Sequence, residues 1–385
     1  MTLVIDNIGL LVTNSVEHGD GALGLRRDVA LVLDGDTVHA IEPCGAVGDA
    51  RVDADGRCVI PGFVDSHTHL VFAGDRGDEF VARMAGAQYQ AGGILTTVAA
   101  TRAASSDELR RGLAARRAEA RRNGITSLEI KSGYGLTTAH ELRALEIASG
   151  ETEDTTLLAA HVVPPEYEGR ADDYVALICD EMIDAVAGTT RWVDAFCEHG
   201  AFDADQCRAV LTAARSRGLG TRVHANQLRQ GPGVQLAVEL GCASADHCTY
   251  LSDDDVEALA AGSTVATFLP ATDFSTRQPY PDARRVLDAG ATVALATNCN
   301  PGSSYTSSMA FCIALAVRDM RMTIEEAVRA ATIGGAAALQ RPDLGVLAPG
   351  ARADAVVLSA PSYTHLVYRP GMQLVALTIE RGAIV

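Results

Sequence analysis

Aromatic residues are scarce in this 385-residue chain, at 5% with a single Trp, while Gly is abundant at 36 residues. A core short of large rings is filled by Ala, Val and Leu, which favours helices packed tightly on sheets. Basic residues are also in deficit: 32 Lys and Arg face 49 Asp and Glu, for a net charge of −17. Such a surface repels nucleic acid and anionic membranes, so neither is expected as a partner. An anionic substrate would need a local cationic group. Nine cysteines occur without a CxxC pair or regular spacing, which argues against a disulfide framework and for buried thiols such as Cys179 and Cys312. No apolar run is long enough to span a bilayer. The N-terminal "MTLVIDNIGLLVTN" has no basic stretch and carries Asp6 among its apolar residues, so it reads as a strand and not a signal peptide. The expected location is cytoplasmic.

With 48% hydrophobic residues, the chain can bury a large core. Its first stretch is β in character: "LVIDNIGLLVT", "DVALVLDGDTVHAIEP" and "RCVIPG" are short apolar pieces broken by turn residues, including Asp34-Gly35-Asp36. The C-terminus repeats that style in "ADAVVLSAP" and "LVALTIERGAIV". Between them, strand candidates ("ITSLEI", "TTLLAAH", "RWVDAFCE", "TRVHAN", "SADHC", "TVATFLP", "TVALATN") alternate with helical segments. One helix is announced by Ser105 and Glu108, a capping-box pair, and stops at Gly124. Strand–helix alternation on this scale predicts a parallel sheet closed into a (β/α)8 TIM-type barrel. No GxGxxG follows the first central strand, which disfavours a dinucleotide site. The expected division is a small discontinuous β-sandwich domain from residues 1–60 and 345–385, and a barrel from 61–344.

The chemistry-bearing residues gather at the ends of these strands. In "VIPGFVDSHTHL", His67 and His69 stand at i and i+2, so on a strand both rings point to one side. His161 ends "TLLAAH", His224 lies in "TRVHAN" and His247 in "SADH", each apolar or small before and polar after. A barrel opens into its catalytic loops at such positions. His67, His69 and His224 would give a divalent ion three nitrogens, and the end of "TVALATN" should add an oxygen. That residue is Asn298, whose amide oxygen can bind a metal but cannot accept a proton as a carboxylate would. In "SADH", the side chain of Asp246 should point away from His247. Lys131 reads as structural. His18, His39, His140, His199 and His365 receive no role.

"PGFVDSHTHL" resembles the signature of the amidohydrolase superfamily. Together with "HTHLVFAGDR", "AGGILTTVAATRAAS", "KSGYGL", "AHVVPPEY", "HANQL", "SADH" and "NPGSS", it is similar to the imidazolonepropionase family, and "GAQYQAGGI" looks like its actinobacterial members. The resemblance implies hydrolysis of 4-imidazolone-5-propanoate to N-formimino-L-glutamate by a metal-activated water. It implies one divalent ion, Zn or Fe, on His67, His69, His224 and Asn298, where the family has Asp at the last position. Substrate contacts would fall on Arg76, Tyr134, His161, Gln227, Asn300, Gly302 and Ser303. Arg76 suits a carboxylate, and the backbone N–H groups of Gly302 and Ser303 could receive the same anion. His247 would move protons, helped by Asn298 only as a ligand, and His161 would help polarise the ring carbonyl. The substrate would be a small anionic heterocycle and the assembly a homodimer. Because of Asn298, a diverged member acting on another cyclic amide or imidazoline, including ring closure, stays open, as does a non-catalytic ligand-binding relative.

Overall fold

The computed structural model describes residues 1–87 and 93–385, so residues 88–92 of the "GAQYQAGGI" stretch lie outside the described part. Two compact units emerge: Met1–Ser66 with Ala118–Ser127 and Ser307–Val385, and His67–Arg117 with Leu128–Thr306.

The first unit contains a two-sheet sandwich. Its four-stranded sheet runs in the order Thr37–Pro43, Val29–Asp34, Thr2–Ile8, Ala50–Asp53. The six-stranded sheet runs Ala383–Ile384, Val375–Glu380, Ala355–Leu358, Cys58–Pro61, Leu10–Val12, Leu25–Arg26, so both ends of the chain contribute. Leu3, Ile5, Leu31 and Leu33 of one sheet share a core with Leu11, Val59, Val357 and Ile379 of the other. The predicted hairpin is present, with Asp34 paired to Thr37 across Gly35-Asp36. "LVIDNIGLLVT" is split by Gly9, where the chain leaves one sheet for the other. Gly9 N–H donates to the Arg57 carbonyl at 3.1 Å, and a Cβ on Gly9 would meet the Gly56 oxygen at 2.2 Å. Only glycine fits that approach.

The second unit contains seven parallel strands in sequence order: Ile130–Lys131, Thr155–Ala160, Trp192–Cys197, Gly220–Ala225, Ser244–His247, Val265–Phe268 and Val293–Leu295. Six match expected strands, while "ITSLEI" forms its own strand Ile125–Leu128, paired with Phe63–Asp65, and meets Ile130–Lys131 only at Ile130. Residues 67–69 close the ring. Lys131 N–H donates to the Thr68 carbonyl at 2.9 Å, while Asn298 N–H donates to His67 O at 3.0 Å and His69 N–H to Asn298 O at 3.1 Å. The result is an eight-membered closed barrel. Buried runs such as Thr155–Ala160 and Trp192–Cys197 are what a sheet covered on its outside requires.

Helices follow the strands because their sequences supply caps and an apolar face. Ala204–Ser216 starts at a capping box between Asp203 and Gln206, and Asp253–Ala261 at one between Ser252 and Asp255. On the former, Cys207, Val210, Leu211 and Ala214 form the buried stripe, and the helix packs on strand Trp192–Cys197. Burying Val210 and Leu211 contributes roughly 1.5–3 kcal/mol each. The expected box at Ser105 also forms: Glu108 N–H donates to Ser105 Oγ at 3.3 Å and Ser105 N–H to Glu108 Oε2 at 2.8 Å. No helix among the described residues is long and apolar enough to cross a membrane.

Candidate metal centre

The strand ends bring His67, His69 and His224 together, with one ring nitrogen of each within 4.8 Å of the others. All three side chains are buried. Nε2 of His67 and Nε2 of His69 lie 3.2 Å apart. Carboxylates stand at the opposite edges of two rings: Asp246 Oδ2 is 2.7 Å from His67 Nδ1, and Asp194 Oδ2 is 3.0 Å from His224 Nδ1. The Asp246 carboxylate can only accept, so Nδ1 of His67 carries the hydrogen and its Nε2 keeps a lone pair, whereas Asp194 and His224 Nδ1 are close but not aligned as a hydrogen bond. His224 Nε2 and Asn298 Oδ1 are buried without a hydrogen-bond partner among the described residues. Burial, reinforced by Lys131 and by neighbouring rings, holds His67 well below its usual pKa, and burial with His67 and His224 does the same for His69. The buried neutral rings of His67 and His69, converging with His224 beside two carboxylates, fit a divalent cation.

A layer of charge lies beneath the histidines. Lys131 Nζ is 2.8 Å from Glu129 Oε1, 2.8 Å from Asp194 Oδ2 and 3.8 Å from Asp246 Oδ2. Arg222 reaches Asp246 at 3.5 Å. Burial opposes charge on Lys131, but Asp194 and Glu129 outweigh it and raise its pKa. Burial likewise opposes ionisation of Asp194, yet His224 and Lys131 hold that carboxyl far below the usual range. Lys131 is thus a cationic strut, in keeping with its structural reading. Glu129 also steadies the His-Thr-His segment, accepting from Thr68 N–H at 3.1 Å. The expectation for Asp246 was incomplete: its side chain faces the barrel interior, against His67. Each of these runs sets one or two ionisable groups among apolar or small residues ("LEIK", "WVDAF", "TRVHA", "SADH"), and that recurrence is the signal that could have revealed them.

Asn298 sits at the strand end with a left-handed backbone, φ 69°, and His247 is similar at φ 81°. Left-handed non-glycine residues are uncommon and concentrate at functional sites. Nδ2 of Asn298 donates to Thr272 Oγ1 at 2.8 Å and Ser303 Oγ at 2.9 Å, which orients its amide. The His247 ring lies 5.5 Å from His67 and 5.3 Å from His224 between centroids, kept neutral first by burial and then by His224.

Tyr134, His161, Arg76, Asn300, Gly302 and Ser303 gather in the same region, with differences in detail. Tyr134 is buried with its ring centroid 5.4 Å from His161 and 6.0 Å from His69. His161 Nδ1 is 2.9 Å from the Gly133 carbonyl, which can only accept, so Nδ1 bears the hydrogen. Burial, then His224, brings the pKa of His161 down to about 3. A neutral His161 of this tautomer presents Nε2 as an acceptor, so it is not the donor needed to polarise a carbonyl. The N–H groups of Gly302 and Ser303 both donate to Asn300 Oδ1, at 2.8 and 3.3 Å. In this conformation Asn300 fills the cradle proposed for the anion. Arg76 is buried and paired with Glu79, and Gln227 is buried.

Residues 58–385 match the amidohydrolase family model. The chain is 61% identical to the imidazolonepropionase of Salinispora arenicola over 385 residues, covering 99% of this chain and 98% of that one. It is 61% identical to that of Streptomyces coelicolor over 382 residues, with 98% of each covered, and 58% identical to that of Mycolicibacterium smegmatis, with 100% and 98% covered. Among solved structures, atrazine chlorohydrolase from Arthrobacter aurescens, complexed with zinc, superposes with TM-score 0.72 at 18% identity over 99% of this chain and 94% of that one. Guanine deaminase from C. acetobutylicum, with bound guanine, gives 0.71 at 12% identity over the whole of both chains. At that distance the likeness speaks for the fold.

Proposed function

The chain belongs to the imidazolonepropionase family of amidohydrolases, and from that premise we infer its reaction. It hydrolyses 4-imidazolone-5-propanoate to N-formimino-L-glutamate, a C–N bond cleavage in a cyclic amide that belongs to histidine degradation. The observation that carries this reading at the level of the site is the trio His67, His69 and His224, buried and convergent at one end of the barrel.

We propose that these histidines and Asn298 Oδ1 hold one divalent ion, zinc or iron. Such an ion, when bound, polarises an oxygen and brings the pKa of a coordinated water near neutrality. Asp246 keeps the Nε2 lone pair of His67 aimed at the site, and Asp194 supplies negative charge beside His224. His247 carries the proton, since Asn298 is neutral and cannot. His161 accepts a ring N–H at Nε2, and Tyr134 and Gln227 contact the flat ring. Arg76 binds the propanoate carboxylate beside the Asn300–Ser303 turn, giving this acidic protein the local cation that its substrate needs. Residues 61–344 form the catalytic part and 1–60 with 345–385 the small β domain. A cytoplasmic homodimer completes the proposal.

The test joins metal analysis to turnover. Purified protein should hold about one metal per chain, form N-formimino-L-glutamate, lose turnover on chelation and regain it with zinc or iron. A fully loaded protein that leaves 4-imidazolone-5-propanoate unchanged would overturn the substrate assignment.

A further inference from the structure

Arg76 and Glu79 form an i,i+3 pair at the start of helix Gly77–Met84, a spacing worth little at an exposed surface. Here the Arg76 side chain is 1% exposed and that of Glu79 is 36%. Nε of Arg76 donates to Glu79 Oε1 at 3.0 Å and Nη2 to Oε2 at 2.6 Å. This side-on, two-point pairing sets the plane of the guanidinium as well as neutralising it.

Two glycines press on the pair. A Cβ on Gly302 would lie 1.9 Å from Arg76 Nη1, and one on Gly93 would lie 2.3 Å from Nη2 and 2.8 Å from Glu79 Oε2. No side chain can stand between the guanidinium and the Asn300–Ser303 turn. With Nε and Nη2 held by Glu79, the Nη1 corner is the one set against Gly302.

We propose that Glu79 is a positioning residue for substrate binding: by gripping the Nε–Nη2 edge of Arg76, it turns the Nη1 corner toward the Asn300–Ser303 turn to receive the propanoate. This rests on the reading of Arg76 as the propanoate's anchor. It also makes the cation a bridge between two carboxylates, one of the protein and one of the substrate. Had Glu79 instead occupied Arg76 in the substrate's place, its removal would strengthen binding. The two relations have opposite kinetic signs.

The experiment is steady-state kinetics of metal-loaded wild type, Glu79→Gln, Arg76→Gln and the double variant, on 4-imidazolone-5-propanoate and on its uncharged propanamide. Glu79→Gln should raise KM for the propanoate about tenfold with kcat held within about twofold, and leave KM for the propanamide unchanged. In the Arg76→Gln background the Glu79 change should add nothing, because the two act as one unit. An unchanged or lowered KM in Glu79→Gln, or an equal rise for the propanamide, overturns the inference. If Arg76→Gln alone leaves the propanoate KM unchanged, the anchor reading fails instead, and the inference with it.

Discussion

Oδ2 of Asp246 lies 2.7 Å from Nδ1 of His67, and that contact decides which nitrogen of the ring turns toward His69. Asp246→Asn keeps the shape but replaces an anionic acceptor by a neutral amide. Metal affinity should fall about 10- to 100-fold, the usual effect of losing a ligand's supporting carboxylate. Competition with a chelator of known affinity measures it, and undiminished affinity would remove Asp246 from the support of the site.

Asn298→Asp should act in the other direction. An anionic ligand holds a divalent ion more firmly than an amide oxygen, and a carboxylate can accept a proton. General-base contributions of about 10²–10⁴ set the upper range for the gain in kcat. Unchanged kcat with tighter metal binding would assign the proton transfer to His247 alone.

His161 makes stability depend on acid. Its pKa falls from the ordinary 6.5 to about 3 in the fold, lowered chiefly by burial. A histidine depressed in this way contributes fully above its unfolded pKa, where neither state is protonated. As pH falls from about 6.5 toward 3, the unfolded chain binds a proton that the fold refuses, and stability is lost. The melting temperature of metal-free protein should therefore drop over that window, less steeply in His161→Asn. Parallel curves for the two proteins would contradict the assignment.

Lys131→Met leaves Glu129, Asp194 and Asp246 facing one another with Arg222 as the remaining cation of the layer. Breaking buried pairs from one side typically costs about 3–5 kcal/mol, readable as a lower urea midpoint. Because Lys131 is held cationic by its neighbours, turnover by the wild type should not respond to added bicarbonate. A bicarbonate-dependent rate would reveal a carbamylated lysine instead.

Gly302→Ala would put its methyl carbon 1.9 Å from Arg76 Nη1. The guanidinium must shift, and overpacking of this kind costs about 1–3 kcal/mol. KM for the substrate should rise while metal content stays at its wild-type level.

The barrel was legible in the sequence because each strand is a short apolar run ending in a polar residue, with a capped helix after it. The histidines were legible for the same reason: His67, His69, His161, His224 and His247 all stand where strands end. Asp194, Glu129, Arg222 and Asp246 were not, since a charge inside a strand ordinarily marks a solvent-facing position. Here the charges point inward and compensate one another across strands far apart in sequence, so each local run shows a charge but not the partner that lets it be buried. The spacing of Arg76 and Glu79 was visible, but their depth was not. The acceptor that fills the Gly302 and Ser303 N–H groups is Asn300 itself, a turn geometry that composition alone cannot specify.

The seam between the first and last members of the barrel bears on how the protein is made. His67 and His69 leave the ribosome early, but the backbone bonds that lock them come from Asn298, near the far end of the second unit. Pairings so distant in sequence form late. A nascent chain therefore carries both histidines through most of its synthesis before their permanent backbone partners exist. A chain that stops short of Asn298 lacks the backbone donor and acceptor that fix this segment, so the geometry of the two rings is completed only when the last member of the barrel is in place.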